Sequence, residues 1–174
     1  MEGSKLKKVI FLDIDGVLNS DSWNNSHQNE INQGILVDKE KIRLLGILIK
    51  DTDAKVTLHS GWKFWFDCDM NPLRKEAEIL KNLLEIEGIY MEGLTPDYTT
   101  EEIRRTKKFG LVKANEILGW LEEHNDVREW IVIDDLDLQN EEIEKHQIRT
   151  CACVGLTMDD IQQGKKLLIS NSRL

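Results

Sequence analysis

The pattern of apolar and polar residues changes period several times along the chain, and each change marks an element. Near the start, Val9, Ile10, Phe11 and Leu12 form an unbroken apolar run. Such a run suits a central parallel strand covered on both faces. From Ser20 to Gly34 the sequence is polar with neither helical nor alternating period, which predicts a loop or small flap at about 20–36. Asp38 can cap a helix that carries Ile42, Leu44, Leu45, Ile47, Leu48 and Ile49. Lys55 to Leu58 then reads as a second strand running into Ser60-Gly61-Trp62-Lys63. The spacing of Leu73, Ala77, Leu80, Leu83 and Leu84 predicts a helix from Leu73 to Glu87, with Gly88 as its stop. Ile89 to Leu94 reads as a strand, and Thr95 to Gly110 as a polar stretch with a basic cluster at Arg104, Arg105, Lys107 and Lys108. A helix from about Leu111 to His124 puts Ala114, Ile117, Leu118 and Leu121 on one face. Trp130 to Ile133 is again an apolar strand, Gln147 to Val154 a short last one, and Thr157 caps a closing helix. Strands alternating with helices predict a three-layer α/β sandwich around a mainly parallel sheet, with right-handed crossovers.

Composition narrows this without changing it. With 174 residues, 40% hydrophobic and 32% charged, and no repeat or low-complexity tract, the expectation for 1–174 is one ordinary globular domain. The net charge of -9 argues against a broad basic surface for gripping duplex nucleic acid, although a nucleic-acid end remains an admissible substrate. Cys68, Cys151 and Cys153 cannot all pair internally and no secretory segment precedes them, so a cytoplasmic location is expected. Cys151-x-Cys153 has too few partners for zinc and reads as strand packing. No apolar stretch approaches a membrane span, and no obligate protein partner is indicated.

The chemistry lies at the strand ends. The first strand runs directly into Asp13-Ile14-Asp15-Gly16, two carboxylates one residue apart at the edge where open α/β sheets bind ligands. Carboxylates held so close repel, and a cation relieves the repulsion. Oxygen ligands of this hardness suit Mg²⁺, which takes waters and a substrate phosphate oxygen. An Asp can also attack phosphorus while a second trades protons with the leaving oxygen. Trp130-Ile131-Val132-Ile133-Asp134-Asp135 repeats the same pattern of apolar strand, then acids. The hydroxyl of Ser60 can donate to a phosphoryl oxygen, with Gly61 permitting close approach. Lys113, near a helix start, opposes the helix dipole unless an anion offsets it. Trp23 and His27 leave over the mouth of the site; Trp23 either touches substrate or pins the loop.

The string Asp13-Ile14-Asp15-Gly16-Val17-Leu18-Asn19 resembles the first motif of the haloacid dehalogenase (HAD) superfamily, whose phosphatases use D-x-D-G-[VT]. That resemblance implies a Rossmann-like sheet, Asp13 as nucleophile, Asp15 as general acid/base, and a metal bound by the Asp13 side chain and the Asp15 carbonyl. It also implies Ser60 as the second motif and Lys113 as the third, with Lys107 and Lys108 as alternatives. The fourth motif falls on Asp134 and Asp135, Asp135 as direct ligand and Asp134 orienting it or binding through water. The short insert after the first motif looks like a flap in place of a large cap. Ser60-Gly61-Trp62-Lys63 is also similar to the S-x-W-R of the HAD domain of bacterial RNA-repair (Swiss Army Knife) proteins, with Lys63 in place of Arg. An ammonium meets phosphate as a point charge where a guanidinium clamps it, so Lys63 is a candidate substrate contact of weaker geometry. Trp62 is either a stacking platform for a base or a core anchor. The implied activity is hydrolysis of a phosphomonoester through an aspartyl-phosphate, on a nucleic-acid end, a nucleotide or a small phosphorylated metabolite. A phosphotransferase or a non-catalytic phosphate-binding module would carry the same signature.

Overall fold

The computed structural model describes residues 7–169. Its centre is a five-stranded, all-parallel sheet in the order β3-β2-β1-β4-β5. The strands are β1 (Lys7–Leu12), β2 (Lys55–Leu58), β3 (Met91–Leu94), β4 (Val127–Asp134) and β5 (Gln147–Arg149). β1 lies in the middle, flanked by β2 and β4, so its apolar run is buried on both sides as the pattern requires.

Alternation along the strands sorts the core into two layers. Ile10, Leu12, Val56, Leu58, Ile131 and Ile133 face α3 (Lys39–Thr52), α4 (Lys75–Ile86) and α8 (Met158–Ile169). Val9, Phe11 and Val132 face α6 (Phe109–Glu123) and α7 (Glu141–Glu144). There Phe11 meets Trp120 edge-on, with ring centroids 5.2 Å apart. Asp38 caps α3 as the sequence suggests, its carboxylate accepting from Glu40 N at 2.9 Å.

Several expectations need correction. The polar stretch after β1 holds two short helices, α1 (Asp21–Ser26) and α2 (Gln28–Asn32). α1 starts because Ser20 Oγ accepts from Trp23 N at 3.1 Å, a local cap that leaves no hydrophobic period to read. The basic stretch likewise contains α5 (Glu101–Thr106), capped by Thr100 Oγ1. Cys151 and Cys153 do not pack on a strand. β5 ends at Arg149, and Gly155 N donates to Cys151 O at 2.7 Å to close a turn that leaves both thiols exposed. Gly155 supplies the left-handed backbone for that turn, with φ +75. Among the described residues, no helix is long and apolar enough to cross a membrane.

Candidate active site

The carboxyl ends of β1, β2 and β4 are stitched one residue beyond the strands. Asp13 N donates to Ile133 O at 2.9 Å, and His59 N donates to Leu12 O at 2.8 Å. This brings Asp13, Ser60 and Asp134 to one edge, where a cleft of about 630 Å³ opens. Asp13, Asp15, Ser60, Gly61, Lys63, Lys113 and Asp135 all line it. Trp23 does not; it stacks on His27 with centroids 4.7 Å apart, and α1 presents Asp21 and Asn24 to the cleft instead.

Carboxylate oxygens of Asp13, Asp134 and Asp135 lie within 4.8 Å of one another. Gly16 makes this possible. Its φ of +76 turns the chain sharply after Asp15, and a Cβ there would stand 2.6 Å from Asp135 Cγ. Lys113 reaches in from α6, 3.1 Å from Asp13 Oδ2 and 2.6 Å from Asp134 Oδ2. The anionic partners that offset its place near a helix start are therefore these two carboxylates. Lys107 and Lys108, the alternative third-motif cations, lie outside the cleft lining.

Burial raises the Asp13 carboxyl to about 7, with repulsion from Asp134 adding to it and Lys113 opposing both. Asp134 is fully buried, which resists charging, but contacts with His59 and Lys113 hold it low, at about 2. Burial and Asp134 push Asp135 upward. Burial opposes a charge on Lys113, yet Asp13 and Asp134 raise its proton affinity. Desolvation pushes buried His59 down against the opposing pull of Asp134, whose Oδ2 stands 3.5 Å from its Nε2.

The donor set fits a hard dication. Three carboxyl groups face one ammonium, so the repulsion that raises Asp13 and Asp135 is what a dication would relieve, and the cluster contains neither imidazole nor thiolate. Asp134 spends Oδ1 on Leu136 N at 2.8 Å and Oδ2 on Lys113, whereas Asp135 is only half-buried and faces the cleft.

The Asp15 side chain stands apart from this cluster. Its Oδ1 accepts from Asn19 Nδ2 at 2.9 Å and its Oδ2 from Trp62 Nε1 at 3.0 Å. Both donors are buried, Asn19 being tied further to Gly16 N and Leu36 O. Trp62 is buried in the core, the anchor of the two readings, and its indole N–H in addition orients an acid. Ser60 Oγ accepts from Trp62 N at 3.2 Å, which leaves the hydroxyl proton to donate elsewhere. A Cβ at Gly61 would meet no protein atom within 4 Å, so only an occupant of the cleft would demand glycine there.

Lys63 sits at the cleft wall with its ammonium engaged. It donates to Pro96 O at 2.6 Å and to Glu116 Oε2 at 2.9 Å, and Glu116 Oε1 accepts from Tyr98 N at 2.9 Å. This buried pair joins the turn after β2 to α6, three residues beyond Lys113. Sequence reasoning missed Glu116, Asn19 and the Asp15 partner on Trp62. Asn19 had a signal, its place inside the first motif; Glu116 had only its spacing from Lys113.

No curated protein and no solved structure gives a match. A family model described as "HAD domain in Swiss Army Knife RNA repair proteins" matches residues 9–161, a span holding all four acids, Ser60 and Lys113. The chain therefore belongs to that HAD family, a setting for hydrolase chemistry of the phosphatase type.

Proposed function

We propose that this chain is a Mg²⁺-dependent phosphomonoesterase that works through an aspartyl-phosphate on Asp13, with a nucleic-acid end or nucleotide as substrate. The observation that carries the reading is the meeting of Asp13, Asp134 and Asp135 around Lys113, with Asp13, Lys113 and Asp135 lining the cleft and Asp134 buried behind them. The family's description as part of RNA repair proteins supports the substrate class.

Asp13, Asp134 and Asp135 would hold the ion, which supplies charge neutralisation for the phosphoryl oxygens when bound. Lys113 opposes protonation of the nucleophilic carboxylate and fixes its position, and its ammonium would also offset charge on the phosphoryl oxygens. Asp13 attacks phosphorus; the bond from phosphorus to the leaving oxygen breaks as Asp15 gives that oxygen a proton. Asp15 is aimed for this by Trp62 and Asn19. Ser60 donates its free hydroxyl proton to a phosphoryl oxygen. Water then attacks the phosphorus of the acyl-phosphate, Asp15 takes its proton, and inorganic phosphate leaves with Asp13 restored.

The test is phosphate release from an aryl phosphate with Mg²⁺ and with a chelator, for the wild type and Asp135→Asn. The expected result is turnover only with Mg²⁺ and a strong loss in the variant. Equal rates in all four arms would overturn the reading.

A further inference from the structure

A second hollow of about 410 Å³ lies beside the catalytic cleft, at the junction of α5 and α6. Phe109 and Leu136 line both, so the two are continuous across a shared apolar sill. Phe109, Leu111 and Leu136 are 38%, 46% and 40% exposed, large apolar side chains left partly open to solvent.

The rim of this hollow is cationic in a chain of net charge -9. Lys107 and Lys108 line it, and Arg104 and Arg105 occupy the adjoining last turn of α5. All four are exposed and none forms an ion pair among the described residues. Glu101 and Glu102 stand one helical turn from Arg104 and Arg105, so the cations with no acid beside them on α5 are Lys107 and Lys108, past its end. Asp137, the acid in the hollow itself, is engaged by Arg149 Nη1 at 3.3 Å and by Gln139 N at 2.9 Å. Lys107 closes α5 in a left-handed conformation, φ 55, with its N–H donating to Ile103 O at 2.7 Å.

An exposed ring beside two exposed lysines that form no ion pair among the described residues is the chemistry of a single-stranded nucleic-acid path, in which a base stacks and backbone phosphates meet lysines. We propose that this hollow seats the nucleotide next to the phosphorylated terminus, stacked at Phe109 and Leu136, with its phosphates on Lys107 and Lys108. The inference rests on the phosphatase reading and narrows it: the leaving group is a single strand rather than a lone nucleotide or sugar.

The test compares kcat/KM for an aryl phosphate, a mononucleotide, and oligonucleotides phosphorylated at the 3′ or the 5′ end, in wild type, Phe109→Ala and the double variant Lys107→Glu/Lys108→Glu. One stacked base supports a gain of about tenfold or more from mononucleotide to short oligonucleotide. The ratio of oligonucleotide to aryl phosphate should fall by a similar factor in each variant. Across salt concentrations, the log–log slope for the oligonucleotide should become shallower by roughly 0.7 for each phosphate that the double variant no longer neutralises. No length dependence, or the same ratio in wild type and variants, overturns the inference and gives the cleft to small metabolites while the phosphatase reading stands. If wild type turns over none of these substrates, the phosphatase reading fails; anisotropy of a labelled, phosphorylated oligonucleotide then decides the hollow. Weaker binding in the double variant supports it, and equal binding removes it.

Discussion

Asp15 is held by donors and Asp13 by charges, and this difference divides the labour between them. The Trp62 indole and the Asn19 amide fix both oxygens of Asp15, so its position depends on two hydrogen bonds from neutral donors to a carboxylate. Trp62→Phe keeps the ring's packing and removes one of them. A hydrogen bond to a charged group is worth about 1.5–3 kcal/mol, so kcat for an alkyl phosphate should fall roughly ten- to a hundredfold. An aryl phosphate with an acidic phenol needs no proton and should be nearly unaffected; equal losses on both substrates would remove Asp15 as the proton donor. Asp13 responds to pH instead. Its carboxyl is raised from 3.8 to about 7, so the folded protein holds that proton more tightly than the unfolded chain. The stability this gives is fully present below about 3.8 and is lost as pH rises through about 7. In chelator, Asp13→Asn carries no such titration. Its unfolding free energy should gain on wild type across that range by on the order of 4 kcal/mol, measured by urea titration. Parallel pH profiles would contradict it.

At the scale of elements, the buried Lys63–Glu116 pair decides how α6 sits. It ties α6 to the turn after β2 and to the Pro96–Tyr98 segment, so the helix that carries Lys113 is fixed against the strand end that carries Ser60. Removing one partner strands a charge: Glu116→Leu should cost about 3–5 kcal/mol in denaturant unfolding. Lys63→Met combined with Glu116→Leu should recover most of that loss. A double variant as unstable as the single one would show that the pair's hydrogen bonds, rather than its charges, hold the helix. The elements differed in how readable they were for a related reason. β1 and β4 each announce themselves locally, as an apolar run ending in acids, and α3, α4 and α6 by periodic apolar faces. The helices α1, α2, α5 and α7 are four to six residues long and begin at polar caps or turns, so they have no period to read.

Across the whole molecule, convergence of the acids was legible because parallel strand ends share one edge of a sheet. Contacts that join distant segments were not. Trp62 and Asp15 are 47 positions apart and Lys63 and Glu116 are 53, and no local pattern encodes either pairing. A dication held by residues from β1 and from the end of β4 would link the centre of the sheet, so its binding should register in global stability. At an ion concentration a hundredfold above its dissociation constant the gain is about 2.7 kcal/mol. Mg²⁺ should therefore raise the thermal unfolding midpoint of wild type and leave Asp135→Asn nearly unmoved; equal shifts would dissociate Asp135 from the ion. The central claim is that Asp13 carries the phosphoryl group. Acid quenching of wild type mixed with Mg²⁺ and substrate, followed by peptide mass spectrometry, should find a phosphoryl adduct on Asp13 that is absent from Asp13→Asn, whose turnover is lost. An adduct on another residue, or wild-type turnover in Asp13→Asn, would contradict the account.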